Sequence, residues 1–187
     1  EDSGSMEAID WQIFAAASQA IAAQIDFTGY LGLNVAPRHF RNPHFCQQLL
    51  DMLKAAGLPP SRLCLEITEG ALIDDPERTC DLLNELRSHG MSLALDDFGT
   101  GYSSLGYLHR FPLLTLKIDR SFVAPLTSPT AHQGSASAAV VRAVVALAGS
   151  LGLSVVAEGI ETQAQADALC ALGCHLGQGF LFATPGP

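Results

Sequence analysis

The stretch LALDDFGTGYSSL, residues 93–105, joins an apolar run to a pair of acids and a loop that contains glycine. The apolar run is typical of a strand that is buried on both faces. Asp96 and Asp97 follow it directly, and neighbouring carboxylates at the end of a buried strand repel each other and resist desolvation. A cation or a proton between them relieves both penalties. The stretch therefore predicts a divalent-metal site on an α/β scaffold.

Helical and strand-like segments alternate on both sides of this stretch. The patterns predict helices over residues 8–25, 45–56, 76–89, 138–151 and 163–172, and strands over residues 30–35, 63–67, 91–95, 113–118, 153–157 and 178–182. The segment Thr127–Ser137 is rich in small and polar residues and is predicted to be a flexible loop. About six strands alternating with helices indicate a parallel sheet that is covered by helices.

Polar side chains at the strand ends distinguish two architectures, an open doubly wound sheet and a (β/α)8 barrel. No glycine-rich phosphate-binding fingerprint follows the first strand, which disfavours the open nucleotide-binding sheet. A barrel gathers the carboxyl ends of all its strands around one mouth, where active sites of this fold lie. The barrel is favoured because strand after strand ends in a polar residue: Asn34, Glu66, Asp96, Asp97, Lys117, Glu158 and Gln178.

The composition is that of one globular domain of 187 residues. Its 19 acidic and 10 basic residues give a formal net charge of -9, which argues against a DNA- or RNA-binding face. The five cysteines contain no CxxC pair and are expected to be reduced, mostly buried thiols, with neither a disulfide framework nor a zinc motif. Neither a membrane-spanning stretch nor a signal peptide is found. We therefore expect a cytoplasmic domain that makes no membrane contact itself, although it could belong to a larger, membrane-attached protein.

The strand-end residues also indicate a chemistry. Carboxylate and amide oxygens suit Mg²⁺ or Mn²⁺, and four carboxylates exceed what one Mg²⁺ usually takes, so two ions with Asp96 as the bridge are expected. Lys117 could orient a water molecule or stabilise a phosphate, and Gln178 could hydrogen-bond a base edge or a water. Taken singly, each residue has a structural alternative: a strand-end Asn, Glu or Gln often caps a turn, and Lys117 could pair with Asp119. Their recurrence at successive strand ends favours the functional interpretation.

Six motifs occur in the order that is found in one known family: NVAP (34–37), LEITE (65–69), DDFGTGYSSL (96–105), LKIDRSF (116–122), VVAEGIET (155–162) and GCHLGQGF (173–180). The chain resembles the EAL domain, a bacterial module that hydrolyses the second messenger cyclic di-GMP. The resemblance implies a (β/α)8 barrel with one antiparallel strand. It also implies cleavage of cyclic di-GMP to linear pGpG with Mg²⁺ or Mn²⁺, and inhibition by Ca²⁺.

The resemblance also implies a role for each motif residue. The implied metal ligands are Asn34, Glu66, Asp96, Asp97 and Glu158. Lys117, Glu158 and Asp97 are the implied catalytic residues, with Lys117 holding the attacking water. Substrate binding is implied for Gln178, Asp119 and Glu161. Glu69 is the implied anchor of the Asp97–Ser104 loop, which in the family couples the metal site to the dimer interface, so a homodimer through that side of the barrel is expected.

Some family features are absent from this sequence. It lacks the E-x-L-x-R segment that names the family, and it ends at Pro187 without the usual final helix. Ala36 stands in place of the common serine, and Thr127–Ser137 is longer than usual. Residues 1–187 are therefore expected to form one EAL domain that lacks two strands and a helix at its start. The alternatives to a phosphodiesterase are an inactive receptor for cyclic di-GMP and a protein-interaction scaffold.

Overall fold

The structure alternates helices and strands within two compact units. The computed structural model describes residues 3–24, 26, 28–73, 75–100, 108–127 and 131–184. The first unit comprises Glu1–Leu93 with Gly106–Pro112, and the second comprises Ala94–Leu105 with Leu113–Pro187. Among the described residues, no helix combines the length and the apolar character needed to cross a membrane.

The first unit contains four α-helices and two strands in its described part. They are α1 (Ser3–Ala22), β1 (Leu31–Val35), α2 (Phe45–Ala56), β2 (Leu63–Thr68), α3 (Glu69–Ile73) and α4 (Pro76–Ser88), with short 3-10 helices at Pro37–Arg41 and Pro60–Arg62. In α2, Phe45, Leu49 and Leu53 recur every four residues and form its buried face. Gly57 ends α2 in the left-handed conformation (φ 72°), as its sequence signal predicts.

Strands β1 and β2 pair in parallel, with Leu31 opposite Leu63 and Val35 opposite Ile67. Three side chains that point to the same face of β2 are fully buried, so this face lies in the core: Leu63, Leu65 and Ile67. This pairing confirms the parallel arrangement that the alternating sequence pattern predicts.

Most of β3 and three further strands belong to the second unit. Its elements are β3 (Ser92–Phe98, from Ala94 onward), β4 (Thr115–Ile118), α5 (Arg120–Val123), a 3-10 helix (Ala124–Thr127), α6 (Ala131–Leu151), β5 (Ser154–Ala157), α7 (Gln163–Ala171) and β6 (Leu176–Gly177). The strands pair in parallel in the order β3, β4, β5, β6. Lys117 on β4 is in register with Val156 on β5, so the carboxyl ends of these strands lie at the same edge.

One loop prediction is wrong. Part of the segment Thr127–Ser137 belongs to α6, which begins at Ala131 rather than at residue 138. Four residues of α6 are buried in its described part: Ser137, Val141, Val144 and Ala148. These residues lie on one face of the helix, and burying that face stabilises α6 although Ser has a weak helix propensity.

The last strand was also predicted at the wrong place. It covers Leu176–Gly177 rather than residues 178–182. Beyond it the backbone passes so close to the preceding loop that a Cβ on Gly179 would lie 2.2 Å from the carbonyl oxygen of Ile160. The chain then turns, with Phe180 and Phe182 exposed. Apolar residues in this stretch gave a strand-like pattern, although they belong to turns.

Candidate active site

Lys117 is the centre of a charged cluster in the second unit. It lies on β4 between the fully buried Leu116 and Ile118 and is itself 5% exposed. Its Nζ forms an ion pair with Glu158 and lies 3.4 Å from Asp96 Oδ1. A buried ammonium is stable only beside such partners. One positive and two negative side chains leave this cluster with a formal charge of -1, which favours binding of a further cation.

Glu158 and Gln178 join the cluster because their strands are neighbours. Glu158 follows β5, and its backbone N–H donates to the Ile118 carbonyl at 3.0 Å. Gln178 follows β6, and its N–H donates to the Ala157 carbonyl at 2.8 Å. The Gln178 side-chain Nε2 then donates to Glu158 Oε1 at 2.7 Å. Gln178 thus directly follows its strand, because β6 ends at Gly177 and not at residue 182 as predicted.

Asp96 and Asp97 lie within β3, not after it. The register with β4 shifts between Leu95 and Phe98, and Asp97 has φ 54°, a left-handed conformation that Asp tolerates better than most residues. At this irregularity Asp96 is buried and Asp97 is exposed, although the two are adjacent. The Asp97 N–H donates to Asp96 Oδ1 at 3.0 Å, and the Thr100 hydroxyl donates to the Asp97 carbonyl at 2.8 Å. The two carboxylates therefore differ in environment.

A cavity of about 590 Å³ adjoins the cluster and fits a small-molecule ligand. Its wall contains the predicted residues Asp119, Glu158, Glu161 and Gln178, together with Arg120, Gly159, Gly179, Phe180, Ala183 and Thr184. Sequence reasoning missed Arg120 and Phe180, which supply a guanidinium and an exposed aromatic ring. Both residues lie inside motifs of the sequence analysis, LKIDRSF and GCHLGQGF. Because the chain is so acidic, a basic residue next to acids at a strand end could have been recognised as a candidate from the sequence.

Asp119 also has a structural role. Its Oδ1 accepts from the Ser121 backbone N–H at 3.0 Å and so caps α5. Burial acts to raise the pKa of Asp119, but hydrogen bonds from Ser121 and the nearby Arg120 outweigh it and lower that pKa. The carboxylate is thus held ionised where it lines the cavity. Its suggested ion pair with Lys117 is not among the contacts of the described residues, which place Lys117 beside Asp96 and Glu158.

The other predicted site residues lie in the first unit. Asn34 on β1 and Glu66 on β2 are opposite each other in the strand register. A Cβ on Gly32 would lie 2.7 Å from Glu66 Oε1, so this glycine, which sequence reasoning missed, makes room for the carboxylate. Glu69 is buried at the start of α3. Residues 101–104 of the Asp97–Ser104 loop, which Glu69 is expected to anchor, lie outside the described residues, so the anchoring role of Glu69 stays a prediction.

The oxygen donors of the cluster fit a hard divalent cation. Asp96 and Glu158 offer carboxylate oxygens and Gln178 offers an amide oxygen, the donor types that Mg²⁺ and Mn²⁺ prefer. The partial exposure of both carboxylates leaves a path for an ion. The donor chemistry therefore agrees with the divalent-metal site that the paired aspartates predict.

Comparison with known proteins identifies close relatives. The sequence model of the family described as "EAL domain" matches residues 1–185. The cyclic di-GMP phosphodiesterase RocR of Pseudomonas aeruginosa is 41% identical over 180 residues, which cover 95% of this chain and 44% of RocR. The chain spans less than half the length of the curated relatives that it matches.

Solved structures agree with this likeness. The PaMucR phosphodiesterase in its c-di-GMP complex has a TM-score of 0.90 and 36% identity, with 100% of this chain and 75% of that chain covered. BlrP1 of Klebsiella pneumoniae, solved with manganese and cy-diGMP, has a TM-score of 0.81 and 34% identity, with 96% and 45% covered. A calcium complex of BlrP1 is similar to the same extent, with a TM-score of 0.81. These likenesses confirm the predicted fold class, an α/β barrel of this type that is here partial.

Proposed function

Because this chain belongs to the EAL domain family, we propose that it is a phosphodiesterase that hydrolyses cyclic di-GMP to linear pGpG. The observation that carries the proposal is the cluster of Lys117, Asp96, Glu158 and Gln178 at neighbouring strand ends. The similarity to relatives named cyclic di-GMP phosphodiesterases supports the choice of substrate. No residue of the cluster is explained by packing alone, since each polar group is directed at another.

Asp96, Asp97 and Glu158 are the proposed ligands of two Mg²⁺ or Mn²⁺ ions, and Asn34 and Glu66 are assigned the same role by motif alone. Such ions, when bound, activate a water and neutralise charge on the phosphodiester oxygens. The manganese and calcium complexes of a similar protein support a divalent-metal requirement. Inhibition by Ca²⁺ is part of the proposal, because Ca²⁺ takes more ligands at longer distances than Mg²⁺ or Mn²⁺.

Lys117 is the proposed positioning group for the attacking water. Its ammonium carries three donors, and ion pairs with Asp96 and Glu158 fix its direction. A donor aimed in this way can hold a water by its oxygen and can stabilise negative charge on a phosphate. Gln178 holds the Glu158 carboxylate through its amide and so keeps the second partner of Lys117 in place.

The substrate is proposed to occupy the cavity beside the cluster. Arg120 would offset the repulsion between an anionic nucleotide and a chain of net charge -9. The exposed ring of Phe180 provides a surface on which a guanine base can stack. Glu161 and Asp119 line the same wall and can accept hydrogen bonds from guanine N–H groups.

Two further properties are proposed from the resemblance. The domain forms a homodimer through the side that carries the Asp97–Ser104 loop, which light scattering of the purified protein at several concentrations would test. It works in the bacterial cytoplasm, where its nucleotide substrate is made.

The activity is tested by incubating the full protein with cyclic di-GMP and Mn²⁺ and separating the nucleotides by chromatography. We expect pGpG to accumulate, and we expect Asp96→Asn to abolish it while leaving thermal unfolding close to wild type. Calorimetry with the same nucleotide distinguishes the receptor alternative, which requires binding without turnover. Neither turnover nor binding in a folded sample would leave only the scaffold and would refute the proposal.

A further inference from the structure

Three potential metal ligands meet in the first unit, apart from the candidate active site. Cys46 lies on α2 and Glu85 lies on α4. His89 directly follows α4 and is its C-cap residue. One ligand atom of each side chain lies within 4.8 Å of the other two. None of these residues has a role in the proposed hydrolysis.

The helices explain why the three groups converge. Glu85 and His89 are four residues apart, so their side chains lie on the same face of α4 near its end. Helix α2 buries Leu49 and Leu53, and α4 buries Leu83 and Leu86, so the two helices share one core. Cys46 is 2% exposed, whereas Glu85 and His89 are exposed. The sulfur thus lies at the floor of a site whose other two ligands are open to solvent.

We infer that Cys46, Glu85 and His89 form a binding site for a divalent transition-metal ion of the zinc type, with water as the fourth ligand. Sulfur, imidazole and carboxylate are the donors that Zn²⁺ takes, and three protein ligands plus water is a common coordination. Metal–ligand bonds of about 2.0–2.3 Å place tetrahedral ligand atoms roughly 3.5 Å apart. The exposed side chains of Glu85 and His89 need to move by only about 1 Å to reach this separation.

The hard cations proposed for hydrolysis do not suit this site, because they prefer oxygen donors over sulfur and nitrogen. The cysteine spacing gave no zinc motif because a single cysteine contributes, and its partners come from a second helix. A metal ion bound at this site can therefore be distinguished from one in the candidate active site by its bond to a thiolate.

Burial, and then the charge of Glu85 and a hydrogen bond to it, raise the pKa of Cys46 to about 12. A bound cation displaces the thiol proton and neutralises the carboxylate beside it.

The test is a Co²⁺ titration of the full, metal-stripped protein, reduced with a phosphine that does not bind metals. We expect one equivalent of Co²⁺ to give a near-ultraviolet thiolate-to-cobalt charge-transfer band, and added Zn²⁺ to remove it. Cys46→Ser should abolish the band, and His89→Ala and Glu85→Gln should each weaken Co²⁺ binding by about tenfold or more.

Two control variants are expected to leave the band unchanged. Cys170→Ser removes an exposed cysteine of the second unit, and Asp96→Asn disables the oxygen-rich site. Circular dichroism tests whether Cys46→Ser is folded. If it is not folded, the effect of His89→Ala and Glu85→Gln, both at exposed positions, on Co²⁺ binding tests the inference instead. Absence of a band in wild-type protein, survival of the band in folded Cys46→Ser, or indifference of Co²⁺ binding to both His89→Ala and Glu85→Gln would overturn the inference.

Discussion

Replacing Lys117 with methionine tests whether its ammonium serves hydrolysis or only the fold. Methionine keeps most of the length and the apolar stem of lysine but removes the charge, so it leaves a smaller gap than alanine would. The substitution leaves Asp96 and Glu158 facing each other without a cation between them.

The structure sets the size of the effect on stability. The side chain of Lys117 is 6% exposed, that of Asp96 12% and that of Glu158 18%. Breaking a fully buried ion pair costs about 3–5 kcal/mol. Both carboxylates here retain some contact with water, and Gln178 still donates to Glu158, so we expect a loss of about 1–2 kcal/mol. For a chain of this length that corresponds to a fall in Tm of roughly 2–8 °C.

The effect on activity should be far larger than the effect on folding. Losing a group that positions the attacking water and stabilises phosphate charge is expected to lower kcat by about 10²–10³. The assay measures kcat and KM for pGpG formation from cyclic di-GMP with Mn²⁺, well below the Tm of the variant. Because Lys117 contacts the acids rather than lining the cavity wall, KM should change little.

Lys54→Met is the matched control. Lys54 is the only other lysine of the chain and is exposed on α2. Its replacement should change stability by no more than about 0.5 kcal/mol and leave kcat unchanged. A folded Lys117→Met protein that hydrolyses cyclic di-GMP at the rate of Lys54→Met would refute the role of Lys117 in catalysis.

Two predictions concern stability. Gly179→Ala places a Cβ 2.2 Å from the Ile160 carbonyl oxygen, so we expect chemical denaturation to show a loss of about 1–3 kcal/mol. Gly149→Ala is the control: the added Cβ meets no atom within 4 Å at a helical position, so stability should rise by up to about 1 kcal/mol. Equal free energies of unfolding for the two variants would contradict the close approach. Asp10 accepts a hydrogen bond from His39 Nε2 at 2.7 Å, and although burial opposes it, this bond and the neighbouring arginine lower the pKa of Asp10 below its usual 3.8. The stabilisation is therefore present above pH 3.8 and is lost as the pH falls through the lower folded-state pKa, so Asp10→Asn should cost about 1 kcal/mol at neutral pH and progressively less in acid. Urea unfolding across this range measures the difference, and a constant difference at every pH would show that the charge of Asp10 plays no part.

Local sequence patterns were sufficient for most of the elements because each carries its own signal. The four-residue spacing of Phe45, Leu49 and Leu53, followed by Gly57, indicates α2 and its end without any tertiary information. Lys117 can also be recognised without tertiary information, because its charged side chain interrupts an otherwise apolar strand. Errors arose where a helix formed despite small and polar residues of weak helix propensity, as in α6, and where apolar turn residues imitated a strand, as after Gln178.

The sequence by itself determined the family, the alternation of helices and parallel strands, and the residue types at the strand ends. Only the tertiary structure decided which of these residues touch: Lys117 pairs with Glu158 and Asp96 and not with Asp119, and Arg120 and Phe180 share the cavity wall. It also decided that Asp96 is buried and Asp97 exposed, at the point where the register of β3 with β4 shifts. Spacing along a chain specifies the face on which a side chain lies, whereas contact depends on strand register and on which elements pack together, and those arise from distant parts of the chain.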